Sequence, residues 1–186
     1  MTSIFINDRI YDFNMDDALR QLSEQRRQMV LNYKHELGKR TCAAAYLLLC
    51  QALRQLYGIA EPPVFEYGVH GKPSIVGYPD IHFNLSQCRE AVICAIGEHP
   101  VGVDIESVRE YKESVARYVM NDSEMRKILE ADRPDVMFTR LWTMKEAMLK
   151  RAGTGITDNL KDVLGNTTGL ITAESPDLRY IYSVAL

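Results

Sequence analysis

His99-Pro100, followed by Val101-Gly102-Val103-Asp104-Ile105-Glu106, is the stretch from which the architecture can be read. The proline closes what precedes it. The hexapeptide then repeats every two residues, the period of a strand, so Val101, Val103 and Ile105 face a core and Gly102, Asp104 and Glu106 face the other way. Upstream, Ser3–Phe13 alternates loosely, as a strand or hairpin would. Asn14 can cap a helix running to about Asn32, a second helix spans Glu36 to Tyr57, and Gly58 ends it. Short strands are predicted at Phe65–Tyr67, Ile81–Ser86 and Ala91–Ile96. Downstream, Ser123 would cap a short helix to about Ala131. Pro134 starts a long helix to about Ala152, closed by Gly153 and Gly155, and strands follow at Gly169–Glu174 and Arg179–Ala185. Helices then strands, followed by strand, helices and strands, indicate an α+β fold divided near residue 99, with residues 1–99 and 100–186 as its halves.

Two carboxylates on one strand face, Asp104 and Glu106, can grip one divalent cation. Oxygen ligands of this kind suit Mg²⁺, which keeps waters and shares its shell with phosphates. Gly102 beside them would leave room for a bulky ligand. Solvated acids on an exposed strand edge are the alternative. On the long helix, Trp142-Thr143-Met144-Lys145-Glu146-Ala147-Met148-Leu149-Lys150 puts Glu146 and Lys150 on one face, with Lys145 and Leu149 on the next. That pair is either a surface ion pair or a base beside a phosphate-binding ammonium. Trp142 reads first as a core anchor. Gly71-Lys72-Pro73 is a rigid turn, and Phe83-Asn84-Leu85-Ser86 ends a strand with a hydroxyl.

The 186 residues, 46% hydrophobic, suffice for a sizeable core, and a net charge of −3 gives no global attraction for nucleic acid. Residues 20–40 are locally basic, through Arg20, Arg26, Arg27, Lys34, Lys39 and Arg40, which suits a small polyanion or a solvated helix face. The four cysteines form no Cys-x-x-Cys pair and are expected to be reduced, in a cytoplasmic setting. The N-terminal residues lack the pattern of a signal peptide. The most apolar segment, Ala43–Leu53, is shorter than the roughly 20 residues a membrane span needs, so no membrane role is expected. No P-loop, dinucleotide-binding fingerprint, His-Glu-x-x-His or Gly-x-Ser-x-Gly motif occurs.

In order and spacing, Gly-Lys-Pro, Phe-Asn-Leu-Ser, Val-Gly-Val-Asp-Ile-Glu and Trp-x-x-Lys-Glu-Ala-x-x-Lys resemble the Sfp-type 4′-phosphopantetheinyl transferases, over residues 33 to 156. The resemblance implies two similar α+β halves related by a pseudo-twofold axis, with coenzyme A between them. The N-terminal half would lie on the nucleotide side, and the C-terminal half would carry the metal and catalytic residues. It implies Mg²⁺ on Asp104, Glu106 and Glu124, with Glu146 as general base or a further metal ligand. Lys150 would sit at the diphosphate. Arg40, with Lys34, His35 and Lys39 near it, would meet the 3′-phosphate. Lys72 and Pro73 would lie along the nucleotide, and Ser86, Gln87, Asp104 and Lys145 would complete the coenzyme A contacts. The acceptor would be a serine of an acyl carrier protein or peptidyl carrier domain, with Arg109, Lys112 and Arg117 as candidates for its docking rim. Two fused halves favour a monomer. Gln87 stands where the family has histidine and can never carry positive charge, which leaves open a weakened or non-catalytic coenzyme A-binding module.

Overall fold

The computed structural model describes residues 1–155 and 160–186, so the last residue of the resemblance, 156, lies outside it. Strand β1 (Ser3–Asn7) is followed by helices α1 (Met15–Gln21), α2 (Glu24–Asn32) and α3 (Glu36–Tyr57). Strands β2 (Phe65–Tyr67), β3 (Pro73–Ile75), β4 (His82–Gln87), β5 (Val92–Gly97) and β6 (Gly102–Ser107) come next. Then follow α4 (Glu113–Val119), α5 (Asp122–Glu130), α6 (Pro134–Ala152), a 3-10 helix (Leu160–Gly165), β7 (Leu170–Glu174) and β8 (Tyr180–Ala185). Helix and strand are mixed without βαβ alternation, as expected of an α+β fold.

Among the described residues three small sheets form, ordered β1-β5-β4, β2-β3 and β6-β8-β7, and every pairing in them is antiparallel. Strand β5 is buried along its whole length because α3 covers one face and the Val101–Ile105 side chains meet the other. Helix α3 turns Cys42, Ala45, Tyr46, Leu49 and Leu53 onto this sheet at helical spacing. Tyr46, fully buried, satisfies its hydroxyl on Pro63 O at 2.6 Å.

The helix expected over Asn14–Asn32 is two helices. Leu22 is extended (φ −82°, ψ 150°), and the Ser23 hydroxyl caps α2 by accepting from Arg26 N–H. Helix α5 is capped two residues earlier than predicted. Asn121 and Glu124 form a reciprocal capping box, and Ser123 lies inside the helix. Helix α6 runs as expected, with Pro134 in its first turn and Gly153 left-handed at φ 70°.

Strands β4 and β6 run side by side in the same direction without a backbone ladder. Their seam is bridged by side chains: Val103 N–H donates to Asn84 Oδ1 at 2.9 Å and Ile105 N–H to Ser86 Oγ at 3.3 Å. This seam joins the parts of the chain before and after residue 99.

Candidate active site

Helix α6 presents three faces, each spaced by four residues. Leu141, Lys145 and Leu149 are buried toward α5 and the 3-10 helix. Thr143 and Ala147 are buried against β6 and β8. Trp142, Glu146 and Lys150 face a cleft of about 520 Å³. Across it stand Ser86 and Gln87 of β4, Asp104 and Glu106 of β6, and Arg26 with Met29 of α2. A cavity of about 260 Å³, walled by His70, Gly71, Lys72 and Pro73, shares Glu146 and Lys150 with the cleft. One of about 550 Å³, walled by Tyr111, Val115 and Phe138, shares Glu106 and Trp142.

At the centre, Asp104 is buried, not an edge acid in water. Its Oδ1 accepts from Lys150 Nζ at 2.5 Å and from the Ser86 hydroxyl at 2.9 Å. Lys150 also donates to Ser86 Oγ at 3.1 Å. Ser86 is thus taken up by the site itself. Burial raises the Glu106 carboxyl above its ordinary value, as does the Asp104 charge, while Arg109, Lys150 and Trp142 oppose the shift. Glu146 is raised for the same two reasons, against Lys150 alone. Carboxyls held out of water beside a like charge are short of positive charge.

Asp104 Oδ2 and Glu146 Oε1 are buried without a hydrogen-bond partner among the described residues. Orphaned acceptors are rare in a folded protein, and two at one cleft fit a cation that would take their lone pairs. Among the described residues, no three His, Cys, Asp or Glu side chains close on one point. Mg²⁺ does not require that, since it is commonly held by one or two carboxylates together with waters and substrate phosphates. The donor set fits that ion.

Several expected site residues are placed elsewhere. Lys145 is fully buried, paired with Glu124 Oε2 at 2.9 Å and donating to Leu160 O at 2.7 Å. Glu124 Oε2 also accepts from Asn121 N–H at 2.8 Å. Both residues hold α5 and the 3-10 helix to α6, and neither lines the cleft. Lys145 lies one residue, about 100° of helix, from the cleft-facing Glu146. Lys72 walls the smaller cavity, but its ammonium is spent on three backbone carbonyls. Arg40 is paired with Glu36, bonded to Phe13 O and lodged over the Tyr11 and Phe13 rings. Neither it nor Lys34 or Lys39 lines the cleft. Gly102 admits no ligand, because the backbone of α6 fills the space beside it.

Arg26 is the cleft residue that sequence reasoning passed over. It was one cation among six in a basic stretch, and only its position after the Ser23 cap marks it. Its guanidinium lies over the Tyr46 and Phe65 rings and against Met29 and Cys42 sulfurs, with no carboxylate within 4.0 Å among the described residues. Burial pushes Cys50 and Cys88 up to about 11 and Cys94 higher still, and none of the three lines the cleft.

Residues 100–180 match the 4′-phosphopantetheinyl transferase superfamily. The chain is 30% identical over 169 residues to a 4′-phosphopantetheinyl transferase of Bacillus subtilis, covering 87% of this chain and 75% of that one. It is 27% identical over 183 residues to the 4′-phosphopantetheinyl transferase Sfp of Bacillus subtilis strain 168, covering 91% and 82%. It is 33% identical over 138 residues to the 4′-phosphopantetheinyl transferase gsp of Aneurinibacillus migulanus, covering 73% and 57%.

Proposed function

The chain belongs to the 4′-phosphopantetheinyl transferase superfamily, and on that footing we propose that it moves the 4′-phosphopantetheine arm of coenzyme A onto a serine of an acyl carrier protein or peptidyl carrier domain. The observation that carries this reading is the convergence of Asp104, Glu146 and Lys150 on one cleft, with two buried carboxylate oxygens lacking partners.

Glu146, whose raised affinity for a proton suits a general base, takes the proton of the acceptor serine. The serine oxygen attacks the β-phosphorus in line. The bond between that phosphorus and the bridging oxygen breaks, and 3′,5′-ADP leaves. Lys150, held beside Asp104, offsets the charge that gathers on the departing phosphate. Asp104, Glu106 and Glu146 would hold Mg²⁺, which supplies charge neutralisation at the diphosphate. Gln87 donates a neutral hydrogen bond from the cleft wall. The apolar cavity beside Trp142 has the volume and lining to receive the pantetheine arm.

Residues 1–99 then supply the nucleotide side and residues 100–186 the acids and the ammonium. Every one of these groups comes from a single chain, which supports a monomer. Four free cysteines, with Cys42, Cys88 and Cys94 buried, support a reducing, cytoplasmic setting, and no described helix is long and apolar enough to cross a membrane. The test is incubation with coenzyme A, Mg²⁺ and a panel of unmodified carrier proteins, read by mass. The expected result is the gain of one phosphopantetheine on a carrier serine, lost by orders of magnitude in Glu146→Gln and Asp104→Ala. Transfer by either variant at the wild-type rate would overturn that residue's role.

A further inference from the structure

We propose that Lys72 is a positioning residue: its ammonium fastens the last turn of α6 to the N-terminal half and so holds Lys150 against Asp104. The inference rests on the transfer reaction proposed above.

The three donors of the Lys72 ammonium are all engaged. They reach Lys150 O at 2.8 Å, Arg151 O at 2.9 Å and Val101 O at 3.3 Å. Two of these acceptors are last-turn carbonyls of α6, groups that have no partner within the helix. They form the negative end of the helix dipole, where a cation is favourable. The third lies one residue before β6, the strand that carries Asp104. One cation therefore fixes the backbone of Lys150 and the start of the Asp104 strand to a common point.

The post itself is rigid. Lys72 closes the β2–β3 turn, where Gly68 N–H donates to Lys72 O at 3.0 Å and Gly71 N–H to Gly68 O at 2.9 Å. Gly71 has φ +78°, a backbone that glycine adopts without strain. The Lys72 stem passes so close to Gly153 that a Cβ there would lie 3.2 Å from Lys72 Cδ. Burial, with Arg151 nearby, lowers the ammonium's affinity for its proton, as expected of a cation held by carbonyls away from water. A phosphate-binding lysine would keep donors free toward the cavity, and Lys72 keeps none.

The experiment compares wild type, Lys72→Met, which keeps the stem and deletes the donors, and Lys72→Arg, which restores donors and charge. Transfer is measured against coenzyme A concentration, and amide exchange of residues 149–153 is followed in the ligand-free protein. A small displacement of a catalytic group can lower a rate by up to about a hundredfold, so Lys72→Met is expected to lower kcat at least about tenfold. KM for coenzyme A stays within about threefold, amide exchange accelerates in the last turn of α6, and Lys72→Arg recovers part of kcat. A raised KM with unchanged kcat would make Lys72 a coenzyme A contact and overturn the proposal. So would unchanged kcat and exchange, or a Lys72→Arg variant no better than Lys72→Met. A wild type that transfers nothing would defeat the transfer reading instead, while the exchange comparison would still read the tie to α6.

Discussion

Gly102 and Ala147 meet backbone to backbone: a Cβ built on residue 102 would lie 2.0 Å from Ala147 O and 2.2 Å from Arg151 N. At Gly102 no side chain of β6 stands between the strand and α6, and this contact sets how near Asp104 comes to the 146/150 face. Gly102→Ala must push the helix away. Overpacking of this kind costs about 1–3 kcal/mol or more. The variant is expected to melt lower, and at temperatures where it is still folded to transfer at least about a hundredfold more slowly. A variant that melts lower but transfers normally would show that the approach serves packing alone.

The acids have a consequence for stability. The Glu146 carboxyl is raised above 4.5 in the folded protein by burial and by Asp104. The protonated form is thus the one the fold prefers. The stability this contributes is present below about pH 4.5 and is lost as pH rises through the higher folded value. In metal-free buffer at pH 7.5, Glu146→Gln is expected to melt above wild type, with the gap narrowing toward pH 4.5, although the variant is nearly inactive. Thermal melts across pH check this. A Gln variant less stable at pH 7.5 would mean that Glu146 has a favourable partner in the free protein.

The long helix was legible to the residue, because Pro134 and Gly153 carry explicit start and stop chemistry. The Val101–Glu106 strand was legible within one residue, because its alternation is strict and both of its faces are buried or engaged. Helical phase already sets Lys145 apart, and it is the resemblance that adds it to the coenzyme A contacts: positions 142, 146 and 150 face the cleft, and 145 belongs with 141 and 149. The break at Leu22–Ser23 escaped notice since a serine inside a polar stretch is a weak signal until its cap is seen. Short α4 carries no capping side chain that the sequence would advertise.

Glu124 and Lys145 make an internal test of the distinction between ligand and scaffold. Removing one partner of a buried pair strands the other charge, at about 3–5 kcal/mol, whereas exchanging both for apolar residues of similar volume is far milder. Lys145→Met and Glu124→Gln are each expected to be strongly destabilising. The double variant Glu124→Met with Lys145→Met should melt above Lys145→Met alone. Denaturant unfolding of wild type, Lys145→Met, Glu124→Met and the double variant reads the coupling. If the effects add, the pair is not interacting. If Glu124→Gln instead leaves stability intact and weakens transfer only, Glu124 belongs to the metal set after all.

Arg26 and Arg40 separate a cation available to a ligand from one already spent. Arg40 has Glu36 at 3.0 Å and Phe13 O at 3.2 Å, and its ring contacts lie away from the cleft. Arg26 faces the cleft from a bed of aromatic rings and sulfur, where a guanidinium is weakly hydrated and an anion faces little competition from water. A hydrogen bond to a charged group contributes about 1.5–3 kcal/mol, or roughly tenfold to a hundredfold in affinity. Arg26→Ala is therefore expected to weaken 3′,5′-ADP binding by that factor, and to flatten its dependence on salt, with little change in kcat at saturating coenzyme A. Arg40→Ala should weaken binding far less and lower the melting temperature more. Titration calorimetry at two salt concentrations decides between them, and a larger loss of affinity in Arg40→Ala would return the nucleotide to the start of α3.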